Sequence, residues 1–438
     1  MLEYLHTYVE KHELGSVFRF GAIVTNMEKR MDGKSGWVLT ISQSNGREPK
    51  AQSYKMAFDF IVVCTGTFTN PKTIVHPGQS EFIEAGGIVK HSSEYKDTTN
   101  DEVIGKRVVV LGGSKSSTDI AVHAANQRGA HQVTMLYRRN IWRIPYFVAG
   151  INFKHLLFMR AQEVQFPSWK APASIFSKLI ALMAMPLIWL NFRMLECVLS
   201  FQLGLKKWGM VPKERIDDSV SCGLPSVTEG LFECFETGCI KPINTTIKCY
   251  RVNDNDGTKY LVLNNGETIK ADIVIQATGW ILDLPFLPDN LKEKLIDNDG
   301  LYRLFRFAVN PELPNIGFVG FNSSFCSVLS SEMIANWLVK YVDGMLVDQK
   351  STEEMEVEIE KLLEWKRKVY PPAKVYGGNC VAPFHHLHFD EILHDIGARK
   401  YKAMFSYPDA EAYGKCLESA PKYSVGKQTA DVFLDDIL

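Results

Sequence analysis

The residues best suited to chemistry lie in the run Val108-Val-Val-Leu-Gly112-Gly113-Ser114-Lys115-Ser116-Ser117-Thr118-Asp119-Ile120-Ala121. A strand that ends in a tight glycine turn and opens a helix aims free backbone N–H groups at a diphosphate. Gly112 and Gly113 permit the turn, and Ser114 is small enough for close approach of a phosphate. Ser117 is small enough for the helix to pack on the strand, and Lys115 and Ser116 lie in the loop between them. The next expected strand, 133–137, ends at Arg138 and Arg139, with Arg143 close behind. An acidic residue there would accept ribose hydroxyls, whereas guanidinium groups pair bidentately with phosphate. The pattern reads as a dinucleotide site for the 2′-phosphate of NADP(H).

The surrounding elements must position that turn. Strand 107–111 and a helix from about Ser117 to Gln127 flank it directly. Two further runs, Asp59-Phe-Ile-Val-Val-Cys-Thr-Gly66 and Asp272-Ile-Val-Ile-Gln-Ala-Thr-Gly279, share one template and each follows an expected hairpin. The repetition predicts an α/β protein with two dinucleotide-binding, Rossmann-like three-layer domains. Two such domains call for two glycine-rich openings. Gly112 supplies one, and its counterpart is expected before residue 1. The expected division is 1–96 for the remnant of one domain, incomplete at its N-terminus, and 97–270 for the NADP(H) domain. An apolar helical insertion is expected at about 148–235, with 271–438 returning to the first domain.

Composition narrows the classes. A chain of 438 residues with 46% apolar and 23% charged residues can bury two or three domain cores. A net charge of -1 gives no basic field, so nucleic acid is not an expected partner. Nine scattered cysteines without a CxxC pair suit free thiols in a reducing, cytoplasmic setting. Residues 1–14 read as an amphipathic helix. The stretch 174–205 is the most apolar, interrupted by Pro186. It suits a buried or homodimer-facing helix pair, and membrane-surface contact through about 174–208 is the alternative, given Lys206, Lys207 and Trp208. His385, His386 and His388 stand beside Pro383 and aromatic residues, which reads as an irregular packed loop; no metal site is expected.

The ordered set Cys64-Thr65-Gly66 with Asn70-Pro71, the Gly112 loop, Arg138-Arg139 with Trp142, and Ala277-Thr278-Gly279-Trp280 resembles the flavin-containing monooxygenases. That family carries a signature of the form FxGxxxHxxxY/F. Gly87, His91 and Tyr95 match it, Ser92 follows the histidine, and Ala85 stands where the family has Phe. Pro314–Trp337 resembles the family's late flavin-facing strand and helix. Baeyer–Villiger monooxygenases share much of the set.

The resemblance implies FAD and NADP(H) as cofactors, with a small-molecule substrate and O₂ as partners. NADPH would reduce FAD by hydride transfer, and reduced flavin would capture O₂ as a hydroperoxide that oxygenates a soft nitrogen or sulfur. Thr65, Gly66, Thr278, Gly279, Gly320, Phe321 and Asn322 would then be flavin-side contacts. No acid–base dyad or nucleophilic triad is required. The family opens with a βαβ unit that binds the FAD diphosphate, and this chain resembles the family from a later helix onward. Two readings follow: a working monooxygenase, or a non-catalytic NADP(H)-binding remnant acting by interaction or at a membrane surface.

Overall fold

A computed structural model describes residues 2–43, 52–169, 175–405 and 407–421. Its centre is a five-stranded sheet in the order Ile240–Asn244, Gln132–Tyr137, Arg107–Leu111, Ile273–Gln276, Ile88–His91. Every neighbouring pair is parallel. Parallel strands covered on both faces need apolar side chains pointing both ways, and these strands comply. Val108, Val110 and Ile275 face the helix Lys115–Asn126 and the aromatic cluster beyond it. Val109, Leu111 and Val274 face Phe82, Tyr250 and Leu261, where a second sheet of Ile247–Val252, Lys259–Leu263 and Thr268–Lys270 forms the third layer.

The expected boundaries at 96/97 and 270/271 cut through this sheet. Ile88–His91 and Ile273–Gln276 both belong to it, because Ile273–Gln276 pairs with Ile88–His91 on one side and Val108–Leu111 on the other. Asp272 fixes that register, accepting from Arg107 Nε at 2.8 Å, Arg107 Nη2 at 2.7 Å and Arg107 N at 2.9 Å.

The second unit is built on the parallel pair Ile61–Val63 and Ile316–Phe318. Three antiparallel strands, Ala22–Lys29, Trp37–Gln43 and Gln52–Phe58, cover it. Trp37 is buried, and its indole N–H donates to Pro314 O at 3.1 Å, holding this sheet against the parallel pair. Helices Ser327–Val342, Thr352–Lys368, His385–Asp395 and Ala410–Glu418 share a separate core around Trp337 and Phe389.

Three further expectations change. The stretch after residue 174 is one helix, Ile175–Gln202, which continues through Pro186. The ring removes the bond to the Leu182 carbonyl, yet the helix does not divide into a pair. Nor is it buried: of the window Leu182–Gln202, 11% is inside the protein. His385, His386 and His388 lie on the helix His385–Asp395, not on a loop, and all are buried. Cys222 and Cys380 form a disulfide across 158 residues of sequence, where free thiols were expected. Neither spacing nor neighbours mark that pair, since their proximity arises only when the insertion folds against the C-terminal helices.

Candidate dinucleotide site

The turn after Arg107–Leu111 is set by close approach. Gly112 has φ +150°, and a Cβ there would sit 2.4 Å from Ala277 O, so the position admits no side chain. Gly112 N donates to Leu136 O at 2.8 Å and Ala277 N donates to Leu111 O at 2.9 Å. The turn is thereby held between the carboxyl ends of two neighbouring strands, the usual place for a nucleotide in such sheets. The helix begins at Lys115, two residues before the expected Ser117. Ser117 is buried against the strand and donates to Ser114 O at 2.6 Å; this is the packing role its size predicts. Ser114 and Ser116 are exposed at the helix opening, where the first N–H groups have no partner within the helix.

The cationic residues divide into three kinds. Arg138 and Arg139 are exposed and form no ion pair among the described residues. They stand at the end of Gln132–Tyr137, the strand beside the turn. Lys115 is engaged elsewhere: it pairs with Asp119 one turn along the helix and donates to Thr228 Oγ1 at 3.1 Å. It opens the helix where a loop position was expected, and its charge is already matched. Arg143, noted in the sequence only as a neighbour, is buried and donates from Nη2 to Gly113 O at 2.5 Å. Its Nη1 meets no partner, and burial pushes the guanidinium down to about 10. A buried guanidinium with an orphaned donor beside a phosphate-type turn fits an anion there. Sequence spacing alone could not tell Arg143 from Arg138 and Arg139, because its role comes from the chain folding back over Gly113.

The Gly87–Tyr95 motif acts as a clamp. Gly87 is required by Phe82, whose ring carbon lies 2.2 Å from where a Cβ would be. His91 is buried, and its Nδ1 accepts from Ser93 N at 3.2 Å. Its Nε2 lies 3.0 Å from Gly279 O, so the network assigns the proton to Nε2. His91 N donates to Glu94 Oε2 at 2.8 Å, closing a capping box on the turn Ser92–Asp97. Tyr95 then reaches the dinucleotide helix, its hydroxyl 3.0 Å from His123 Nδ1. Ser92 is half-buried between them. His91 thus spends both ring nitrogens on structure.

Thr278 and Gly279 were expected on the flavin side only. They lie directly after Ala277, against Gly112, and they also bind the crossing segment: Lys72 N donates to Gly279 O at 3.0 Å and Thr278 Oγ1 donates to Lys72 O. Trp280–Ile281 pairs with Asn70–Pro71. Across that link, Thr65 and Gly66 leave the carboxyl end of Ile61–Val63, while Gly320, Phe321 and Asn322 leave that of Ile316–Phe318. Phe321 is buried in the core against Phe318, with ring centroids 5.1 Å apart. Asn322 is buried, donates to Ser330 O at 2.8 Å and sits 3.0 Å from His388 Nε2. Its Oδ1 meets no partner, an acceptor available to a ring N–H. Two glycine turns and an orphaned acceptor at adjacent strand ends fit the ring end of a flavin. Among the described residues a single glycine turn of the diphosphate type, at Gly112, joins a parallel strand directly to a helix.

The histidines are individually occupied. His385 Nδ1 lies 3.2 Å from Pro383 O and His386 Nδ1 lies 2.7 Å from Tyr413 Oη. Behind them Glu163 accepts from His386 N at 2.7 Å and Leu387 N at 3.1 Å, capping the helix, while burial pushes its carboxyl up to about 8.

Parallel sheet, Gly112 turn and adjoining strand ends define the class: an α/β protein with two Rossmann-like domains. The chain belongs to the flavin-binding monooxygenase-like family, whose model matches residues 1–411. It is similar to the Arabidopsis thaliana protein named probable flavin-containing monooxygenase 1, with 27% identity over 432 residues, covering 92% of this chain and 78% of that one. Its identity to Homo sapiens dimethylaniline monooxygenase (N-oxide-forming) 4 is 26% over 380 residues, covering 84% of this chain and 60% of that one. Among solved structures, an oxidized steroid monooxygenase bound to NADP superposes with a TM-score of 0.61 at 18% identity, covering 89% of this chain and 81% of that one. Tmm from Pelagibacter sp. strain HTCC7211 gives 0.53 at 19%, covering 89% and 62%. At these identities the superpositions establish the fold.

Proposed function

We propose that the chain is an FAD- and NADPH-dependent monooxygenase of small molecules carrying a soft nitrogen or sulfur. The observation that carries the reading is the Gly112 turn with two exposed, unpaired arginines, Arg138 and Arg139, at the end of the adjoining strand. The backbone of Gly113–Ser117 would hold the coenzyme diphosphate, Arg138 and Arg139 its 2′-phosphate, and Arg143 the turn itself. Thr65, Gly66, Gly320 and Asn322 would border the flavin, with Thr278 and Gly279 between the two cofactors. Flavin bound there supplies the chemistry of accepting hydride from NADPH and activating O₂. The names of the Arabidopsis and human relatives support the assignment, and dimethylaniline monooxygenase supports a soft nitrogen as the acceptor.

The test is the visible spectrum of the purified chain with added FAD, followed by NADPH under anaerobic conditions. A retained flavin band that NADPH bleaches supports the reading. NADPH binding by a chain that never retains flavin would refute it and leave a coenzyme-binding protein without the oxygenating half. Product analysis separates the chemistries, since an N-oxide or sulfoxide supports the proposal, whereas an ester from a ketone indicates the Baeyer–Villiger alternative.

A further inference from the structure

The bridge Cys222–Cys380 takes no part in the coenzyme reading, yet each of its ends adjoins one of the two cofactor turns. On the insertion side the chain runs from Cys222 directly to Pro225–Val227. There Ile144 N donates to Pro225 O at 3.0 Å and Val227 N donates to Ile144 O at 2.9 Å. Ile144 follows Arg143, the buried guanidinium that donates to Gly113 O. Thr228, next along, is bonded to Lys115 and Thr118 of the dinucleotide helix. On the other side, Cys380 pairs with Ser323 in a parallel bridge, and Val381 N donates to Ser323 O at 3.0 Å. Ser323 follows Asn322, at the turn assigned to the flavin. The Cys222 sulfur itself lies 3.2 Å from Ser323 O. One covalent link therefore joins the Arg143–Gly113 end of the coenzyme site to the Asn322 end of the flavin site.

We propose that this bridge is a redox modification site, opened by dithiols and reformed by peroxide, whose state sets the coupling between the two turns. The inference rests on the monooxygenase reading, because coupling matters only where hydride passes between two cofactors. Two observations make the bridge a switch rather than a structural staple. Seven other cysteines among the described residues are free, Cys64 and Cys197 exposed among them. A bridge in that company has the pattern of a redox-responsive pair and not of a disulfide framework. Its two ends are also unequally shielded: Cys380 is 2% exposed, whereas Cys222 is half-buried beside exposed Gly223. A dithiol reductant thus meets Cys222 first. Its thiolate attacks the Cys222 sulfur, the bond to Cys380 breaks, and Cys380 leaves as a thiolate. The reductant's second thiol then displaces Cys222 and closes its own disulfide, so two electrons and two protons pass to the protein. Hydrogen peroxide reverses the change, taking two electrons and two protons from the thiols and ending as two waters. The fold outlasts the opening. Tyr370 still donates to Val220 O and packs with Phe384 in the main core, and the bonds that hold Gly112 do not involve the bridge.

The test is anaerobic stopped-flow reduction of the FAD-loaded full chain by NADPH. The bridge is first closed with hydrogen peroxide, or opened with dithiothreitol that is then removed. Peptide mapping after alkylation reports the state of the bridge, and calorimetry reports NADPH affinity. NADPH affinity is expected to match in the two states. Flavin bleaching is expected to slow at least about tenfold when the bridge opens, because a shift of about 1 Å between reacting groups costs up to about a hundredfold. Peroxide should restore the fast rate. Cys222→Ser, which cannot bridge, should bleach slowly and respond to neither reagent, with unchanged NADPH binding as the check of its folding. Equal bleaching rates in a flavin-loaded chain with the bridge open and closed overturn this inference alone. So does a bridge that dithiothreitol does not open in the folded chain, or one that peroxide does not reform. A chain that never retains FAD overturns the monooxygenase reading and this inference with it.

Discussion

Replacing Arg138 and Arg139 together by serine isolates the coenzyme's 2′-phosphate. Both guanidinium groups are exposed and neither forms an ion pair among the described residues, so the substitution breaks no internal contact and leaves no buried carboxylate unmatched. Solvent screening limits each exposed guanidinium–phosphate pair to about 1 kcal/mol. The double variant should therefore lose about 2 kcal/mol, roughly thirtyfold in affinity for NADPH. NADH lacks the phosphate, and its affinity should not change. Arg143→Met is the contrasting variant: it removes the donor to Gly113 O and should weaken NADPH and NADH alike by loosening the turn. Calorimetric titration of each variant with both coenzymes gives the comparison. If the Arg138/Arg139 variant weakens both coenzymes equally, or leaves NADPH untouched, the 2′-phosphate is not bound there and the reasoning from the strand end fails.

Four other outcomes follow from the contacts. Gly112→Ala drives a methyl onto Ala277 O, 2.4 Å away, and should abolish coenzyme binding measured by fluorescence while circular dichroism stays native. His91→Leu removes one of the two donors to Gly279 O, Lys72 N being the other, and should lower stability by about 1 kcal/mol in urea titration, the net worth of one hydrogen bond; an unchanged midpoint would show that the clamp carries no energy. Burial pushes the Lys366 ammonium down from 10.5 to about 7, so between those values the unfolded chain holds a proton that the folded protein has released. Stability due to this group rises with pH across that window by up to about 1.4 kcal/mol per unit, and Lys366→Met should flatten the rise. Glu163, raised from 4.5 to about 8 by burial, has the opposite sign: its contribution is complete below 4.5 and is lost as pH rises to about 8. Glu163→Gln should remove that fall in a series of melts at different pH.

The sequence carried the local information well and the spatial information unevenly. Val108–Ala121 could be read because strand, glycine turn and helix lie within one short run, and each residue's role depends on its own size or backbone freedom. The paired Asp-to-Thr-Gly templates were legible for the same reason, and both first residues pair with arginine, Asp59 with Arg30 and Asp272 with Arg107. Boundaries failed because Ile88–His91 and Ile273–Gln276 join their sheet by pairing across a long sequence separation, which no local pattern records. The expectation that the helix Ile175–Gln202 would be a buried pair failed because apolar composition states what a surface avoids, not what covers it. Cys222–Cys380 and Arg143 were missed for a common reason, as each acts through a partner brought near by the insertion or the chain's return.

The clamp around Gly279 explains how a motif without catalytic groups would serve the proposed coenzyme site. Gly279 O accepts from His91 and from Lys72 N, while Gln276 bonds both the N–H and the carbonyl of Ile74 at 2.7 Å. One turn is thus tied to the motif, to the Gly112 loop through Ala277, and to the segment leading to Thr65 and Gly66. Hydride transfer depends on the relative placement of two ring systems, and small misplacements are costly. Placing the shared turn under several hydrogen bonds, each worth about 1 kcal/mol, fixes the relation between the two strand ends without any group that must titrate or react. The chemistry proposed for this scaffold belongs to the cofactors, and the side chains in the motif supply position.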